Sequence, residues 1–129
     1  MDKGAPRGLE GTWVPIDASV AGNRLAVDDL RVRYLMLEAG GYRIIDRSNR
    51  VVDDGCYRVD ERPAPPTLDI VGSHGLNAGR TMQAIYELEE NELTVCYDLQ
   101  GGERPCAMRP RKDQLLLRIT YTRAAIGFD

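Results

Sequence analysis

The sequence has few of the residues from which metal sites and disulfide frameworks are built. It contains one histidine and three cysteines among 129 residues. A tetrahedral zinc site takes four ligands, often from Cys-x-x-Cys pairs, and no such pair is present. The acidic pairs Asp28-Asp29 and Asp53-Asp54 do not have the spacing of a calcium-binding loop. We therefore expect neither a bound metal nor another cofactor.

Long apolar runs and an excess of positive charge are also lacking. No stretch of about 18 apolar residues is present, and the first residues have no apolar core of a secretion signal. The 17 Lys and Arg residues against 20 Asp and Glu residues give a formal net charge of -3. A protein that neutralises many phosphates usually has a basic excess. We expect a cytoplasmic protein that binds neither nucleic acid nor a membrane.

Aromatic residues other than tyrosine are rare, whereas turn-forming residues are common. One Phe and one Trp stand against 13 Gly and seven Pro, a composition typical of many turns and few long helices. Alternating or β-rich segments predict strands at 9–14, 30–38, 42–47, 51–54, 56–60, 67–71, 80–89, 93–99 and 114–123. Between them, 15–29 holds a short helix or a lid-like connection, and 72–79 is a glycine-rich loop expected to be flexible.

About eight to ten short strands without βαβ alternation predict an all-β fold. The architecture that fits is a single closed or nearly closed antiparallel β-barrel. One domain covers residues 7–123, and the termini 1–6 and 124–129 are expected to be flexible.

Several short motifs carry a resemblance to a known family. In order, they are Leu9-x-Gly11-Thr12-Trp13, Gly55-x-Tyr57, Pro66-x-Leu68-Asp69-Ile70, Ile85-Tyr86-Glu87-Leu88, Leu93-Thr94-Val95-Cys96 and Arg104-Pro105. Over residues 8–119 the chain resembles the small bacterial lipocalin-like domains that are abundant in planctomycetes. The resemblance implies a lipocalin-like barrel and little about activity, because that family is largely uncharacterised.

The wider lipocalin pattern implies a role for the single tryptophan. It packs a Trp of the first strand against an Arg of the last, here Trp13 with Arg118 or Arg123. The segment 15–29 departs from the family, since it lacks the common Asp-Gly-Lys-Pro turn. We expect no export signal before the domain, which weakens any inference of a periplasmic or sensory role.

Six tyrosines, all on predicted strands, are the strongest bias in the composition. An eight-stranded barrel either packs its interior shut or holds one small ligand, and both use Tyr, Met and Leu. Strand alternation also directs Ile44, Ala84, Val95, Leu117 and Ile119 inward and Gln83, Glu87 and Arg118 outward. The inward residues predicted to bind a ligand are Tyr34, Met36, Tyr42, Met82, Tyr86, Tyr97 and Tyr121.

Three functions compete on this evidence. The first is a binding module that holds an apolar or amphipathic small molecule in the barrel lumen. The second is an enzyme of isomerase, cyclase or hydratase type acting in the same cavity, with a tyrosine, His74, Asp69 or Glu87 as acid or base. The third is an interaction protein with a filled barrel, joined to a second copy in a homodimer or to another partner through an edge strand or residues 15–29.

The odd number of cysteines predicts free thiols, most simply as small buried apolar residues. Cys96 and Cys106 are placed symmetrically about Gly101. A hairpin turning there would set them opposite each other, so a cross-strand disulfide is the alternative. A nucleophilic cysteine needs an adjacent base, for which the sequence offers only His74.

Overall fold

The computed structural model describes residues 8–124, and its secondary structure is almost entirely β. A single 3-10 turn of helix lies at Val27–Asp29. The strands are β1 Gly11–Val20, β2 Asn23–Arg24, β3 Tyr34–Glu38, β4 Gly41–Ile45, β5 Val51–Asp60, β6 Thr67–Gly75, β7 Thr81–Glu89, β8 Glu92–Asp98 and β9 Leu116–Arg123. Within the described range no helix has the length and apolar character needed to cross a membrane.

The strands form one antiparallel sheet that closes on itself. Each strand from β3 to β9 pairs with the next, and β1 pairs with both β3 and β9. Eight strands therefore make a closed barrel, and the two-residue β2 is an additional strand beside the end of β1. The predicted all-β, lipocalin-like antiparallel barrel is confirmed. The termini predicted to be flexible lie, apart from Ala124, outside the described residues.

The barrel interior contains one continuous hydrophobic cluster. Residues directly opposite each other in antiparallel strands point to the same face, so the register identifies the inner rows. One such row joins Ala84 to Tyr97 and Tyr97 to Leu117. The inward direction predicted for β4, β7, β8 and β9 is confirmed by the buried side chains Tyr42, Met82, Ala84, Tyr86, Val95, Leu117, Ile119 and Tyr121.

The inward direction predicted for β3 was wrong. Leu35 and Leu37, which are 6% and 3% exposed, face the interior, whereas Tyr34 and Met36 lie on the outer face. The predicted alternation began at Leu30, but the strand begins only at Tyr34. The residues before it belong to a connection whose alternation is out of phase with the strand.

The segment 15–29 also differs from its prediction at its beginning. β1 continues to Val20 through a bulge between Pro15 and Asp17, so the first residues of this segment complete the barrel wall. The predicted short helix is present as the 3-10 turn at Val27–Asp29.

All three cysteines are free thiols, as predicted. Only Cys96 is buried, so the expectation of buried side chains was wrong for Cys56 and Cys106. Cys96 lies opposite Ile85 and Arg118 rather than Cys106, because β8 ends at Asp98 and a long loop follows before β9.

Trp13 closes one end of the barrel. Its side chain is 0% exposed, and its indole Nε1 donates a hydrogen bond of 2.8 Å to the Leu9 carbonyl. The Arg123 guanidinium lies 4.3 Å from the centre of the ring. The same guanidinium donates to the carbonyls of Gly8 and Glu10. The structure thus confirms a structural role for Trp13 and selects Arg123 over Arg118 as its partner.

Replacing Arg123 with lysine tests this closure. Lysine keeps the charge but loses the planar group that stacks on Trp13 and reaches two carbonyls. We expect Arg123→Lys to lower the free energy of unfolding by about 1–2 kcal/mol, measured by urea denaturation. The matched control Arg58→Lys, at an exposed position of β5, should change it by less than about 0.5 kcal/mol. Equal effects of the two variants would contradict the closure argument.

Candidate functional site at the loop end of the barrel

The two ends of the barrel differ in how they are covered. One end carries Trp13, Arg123, the tight turns after β3 and β7, and the connection 61–66; we call it the tryptophan end. The other end, the loop end, carries the longer connections 21–33, 46–50, 76–80 and 99–115. Access to the interior is therefore expected at the loop end.

A strap formed by residues 25–30 extends from β1 to the turn between β4 and β5. At its start, the Leu25 amide donates to the Ala18 carbonyl at 2.9 Å. Further along, Arg47 Nη2 donates to the Val27 carbonyl at 3.4 Å and to Asp28 Oδ1 at 3.1 Å. Leu25 and Leu30 are half-buried and pack against the core cluster. The strap therefore forms an apolar cover at the loop end.

A buried carboxylate lies below this end. Asp53 of β5 is only 1% exposed, and both of its oxygens accept hydrogen bonds from Asn77. The Asn77 amide donates to Oδ1 at 3.0 Å and its side-chain Nδ2 donates to Oδ2 at 2.6 Å. Burying a carboxylate is costly unless it is hydrogen-bonded, so these two contacts fix the loop 76–80 against the carboxylate.

Two glycines of β6 allow the loop 76–80 and the neighbouring strand β5 to pack closely against β6. A Cβ atom on Gly72 would lie 1.9 Å from the Asn77 carbonyl oxygen, and one on Gly75 would lie 2.1 Å from the Val52 carbonyl oxygen. Gly75 also has a φ of +92°, which other residues rarely adopt. The glycines that led us to predict a flexible loop at 72–79 therefore serve close packing, and β6 extends through Gly75.

Tyr42 of β4 places a hydroxyl near this carboxylate. Its side chain is 3% exposed, and no residue in the described range makes a hydrogen bond with its Oη. Burial raises the pKa of Tyr42 well above its ordinary value, and the charge of Asp53 and a hydrogen-bonding contact with its side chain raise the pKa further. Asp53 is thus the group that the hydroxyl approaches, but their contact does not reach the distance and angle of a full hydrogen bond. The Tyr42 hydroxyl keeps a donor and an acceptor capacity that these residues do not use.

Two further tyrosines join this group. Burial raises the pKa of Tyr97 to about 12, with Asp53 raising it further and Arg80 lowering it. Burial also raises the pKa of Tyr121, and Tyr97 adds to that effect. We call Tyr42, Asp53, Asn77 and Tyr97 the polar cluster; Arg80 is exposed at its rim.

The structure separates the predicted ligand-binding residues into two groups. Tyr42, Met82, Tyr86 and Tyr121 are buried and Tyr97 is half-buried on the inner face, while Tyr34 and Met36 lie on the outer face. Their role in ligand binding stays a prediction.

Sequence reasoning missed Asp53, Asn77 and Arg80. For Asp53 the available signal was its place two residues before Gly55, in phase with the inward Tyr57, but the pair Asp53-Asp54 did not show which carboxylate faces inward.

The predicted acid–base residues lie outside the barrel lumen. His74 is exposed, and its Nδ1 lies 3.1 Å from Asp54 Oδ1 on the outer face. Asp69 accepts a hydrogen bond of 2.7 Å from Arg104, and Glu87 is exposed. His74 and Cys56 line one outer groove, but no hydrogen bond joins them within the described range. None of the three predicted residues is placed to act on a molecule inside the lumen.

No group of three or more His, Cys, Asp or Glu side chains between residues 8 and 124 is arranged to hold a metal ion. Comparison of the chain with protein-family models, curated proteins and solved structures found no match. The candidate site is therefore defined by its geometry and chemistry alone.

The buried tyrosines predict a loss of stability at alkaline pH. The folded pKa of Tyr97 lies above its unfolded value of 10.0, so its contribution is complete below pH 10 and is lost as the pH rises towards 12. We expect the free energy of unfolding to fall by up to about 1.4 kcal/mol per pH unit for each such tyrosine. Urea denaturation at a series of pH values measures this slope. In Tyr97→Phe the slope should be smaller, and an unchanged slope would contradict the assignment.

A second prediction concerns the effect of the buried Tyr42 hydroxyl on the free energy of unfolding. Because an unsatisfied buried polar group costs about 1–3 kcal/mol, Tyr42→Phe should leave the free energy of unfolding unchanged or raise it by about 1 kcal/mol. By contrast, Asn77→Ala removes the side-chain donor of a buried carboxylate and should lower it by about 2 kcal/mol. Urea denaturation at neutral pH compares the two variants. A loss above about 1 kcal/mol in Tyr42→Phe would show that its hydroxyl is already satisfied.

Proposed function

We propose that the protein is a lipocalin-like binding barrel that takes an amphipathic small molecule at its loop end. The observation that carries this proposal is the Tyr42 hydroxyl, buried beside the Asp53 carboxylate, with which it makes less than a full hydrogen bond, and without another partner among the described residues. We infer membership of the bacterial lipocalin-like family from the sequence motifs and the barrel, although that membership implies little about activity.

The chemistry of the polar cluster selects the polar group of the ligand. A carboxylate only accepts hydrogen bonds, whereas a tyrosine hydroxyl both donates and accepts. A ligand group that donates to Asp53 and also pairs with Tyr42 is an alcohol or an amine. A ligand carboxylate would be repelled by the buried Asp53 charge, because like charges interact strongly where water is excluded.

The apolar part of the ligand has matching surface at the loop end. Val20, Ile44 and Tyr97 are half-buried and border the core cluster there, together with Leu25 and Leu30 of the strap. Partly exposed apolar side chains around a few polar groups are the usual composition of a small-molecule site. We therefore place the apolar part against the strap and the polar end towards Tyr42.

The strap is held in a way that permits entry. Its contact with Arg47 is an ion pair whose two side chains are 49% and 91% exposed. Exposed ion pairs contribute about 0–1 kcal/mol, so this contact holds the strap only weakly to the β4–β5 turn. Entry at this end requires no break in the closed sheet.

The enzyme alternative finds less support in the same cavity. His74, Asp69 and Glu87 face outward, and the tyrosines of the polar cluster, which were also predicted as acids or bases, have a raised pKa. General acid–base catalysis is most efficient when the pKa of the group lies near the working pH. At neutral pH these tyrosines stay protonated, which suits hydrogen bonding to a ligand better than proton abstraction.

Two fluorescent probes that differ only in their charged end test the proposal. A dansyl-alkylamine and a dansyl-alkanoic acid of equal chain length are titrated with the protein, and the dansyl emission reports binding. We expect the amine to bind about tenfold more tightly than the acid. Tyr42→Phe should weaken amine binding by about five- to tenfold, and Asp53→Asn should remove the preference for the amine.

Tyr86→Phe is the matched control, since it removes a hydroxyl from an inner-face tyrosine nearer the tryptophan end. Its amine affinity should equal that of the wild type. The proposal fails if neither probe binds, if the acid binds as tightly as the amine, or if Tyr42→Phe and Tyr86→Phe behave alike.

A further inference from the structure

A groove of about 280 Å³ lies on the outer face of the barrel, away from the polar cluster. Its walls are the ends of β1 and β9, the middle of β8, and the loop that leads from β8 to β9. The lining residues on which the argument depends are Arg24, Arg109, Arg118, Asp17, Met108 and Leu116.

The strand pairing brings two of these arginines together. Ser19 of β1 lies opposite Arg24 of β2 on one side and opposite Arg118 of β9 on the other. Neighbouring strands are about 4.8 Å apart, so the two arginines flank Ser19 in a single row across the sheet. Their guanidinium groups therefore lie over the same part of the outer surface.

The third arginine comes from the loop, which Arg118 helps to hold. Arg118 Nη1 donates a hydrogen bond of 3.3 Å to the Met108 carbonyl, and Arg109 follows directly. No residue between 8 and 124 forms a hydrogen bond or ion pair with Arg109, and Arg118 has no partner there beyond the Met108 carbonyl. Most of the donors of both guanidinium groups are thus available to a ligand.

The charge of the groove is opposite to that of the chain. Three guanidinium groups face one carboxylate, Asp17, which lies 3.6 Å from Arg24 in an exposed ion pair. The groove therefore has an excess of two positive charges in a chain whose formal net charge is -3. This local reversal favours an anion of charge near -2.

The floor of the groove is apolar. Cys96 is 1% exposed, Leu116 is buried, and Met108 packs against them in a small hydrophobic cluster separate from the barrel core. Burial raises the pKa of the Cys96 thiol, an effect partly opposed by Arg118. The thiol thus stays neutral and belongs to the apolar floor.

We propose that this groove binds a phosphate monoester that carries a flat apolar group. A phosphate monoester has a charge of about -1.5 to -2 at neutral pH, which matches the excess charge of the groove. Guanidinium groups pair with phosphate oxygens through two parallel hydrogen bonds. The apolar group of the ester then lies on Met108 and Leu116.

Calorimetric titration of the full chain with phenyl phosphate tests this site. We expect a Kd below about 1 mM, with affinity falling as salt is added. Inorganic phosphate lacks the apolar group, and benzoate has the ring but a single charge. Each should bind at least about fivefold more weakly.

Three variants locate the binding. Arg109→Gln and Arg118→Gln should each weaken phenyl phosphate binding by about tenfold. Arg109→Gln is the sharper test, because Arg109 makes no hydrogen bond or ion pair within the described residues whose loss would disturb the fold. Arg58→Gln, the control on β5 at the opposite side of the barrel, should bind as the wild type does.

Several outcomes would overturn the proposal: no binding of phenyl phosphate, equal binding of benzoate or inorganic phosphate, or equal losses in Arg109→Gln and Arg58→Gln. Binding in the groove is also independent of ligand binding in the barrel lumen. Tyr42→Phe should leave phenyl phosphate binding unchanged, and Arg109→Gln should leave binding of the dansyl-alkylamine unchanged.

Discussion

The pairing of β1 with β9 is the contact on which the rest of the structure depends. β1 pairs with β3 through Gly11–Trp13 and with β9 from Trp13 to Val20, so one strand joins the first and last parts of the sheet. This closure leaves the eight-stranded sheet without a free edge and gives it a single interior. It also brings Arg123 over Trp13, so that strand pairing and ring stacking close the same end.

The barrel is closed by Trp13 at one end and holds its buried carboxylate near the other. The tryptophan end is filled by the indole and its neighbours, whereas the interior near the loop end contains a carboxylate and tyrosine hydroxyls. Asp53 is compatible with burial because Asn77 supplies two donors, and Asn77 reaches it because Gly72 and Gly75 carry no Cβ. The Tyr42 hydroxyl has no such partner within the described residues and costs stability. In the proposed function, a bound ligand makes the hydrogen bond that this hydroxyl lacks.

The barrel was predictable from the sequence, because alternation within strands and the positions of Gly and Pro are local signals. The inner face of β3 was not, since Leu30 and Val32 precede the strand and alternate out of phase with it. Asp53 was not predictable because its neighbour Asp54 has the same chemistry, and only the register with Ile44 and Gly75 shows which of them faces inward. The arginine groove joins residues about 90 positions apart in the chain, which only the β1–β9 closure brings together.

The wall formed by β1, β8 and β9 presents different chemistry on its two faces. Ala18, Ile119 and Tyr97 face the lumen, and the residues next to them in sequence, Ser19, Arg118 and Cys96, face the outer groove. A buried carboxylate inside repels anions, while the guanidinium groups outside attract them. The two proposed sites therefore select amphipathic molecules by the sign of their charge. An amine or alcohol is directed into the barrel and a phosphate ester onto its surface, so neither ligand competes for the site of the other.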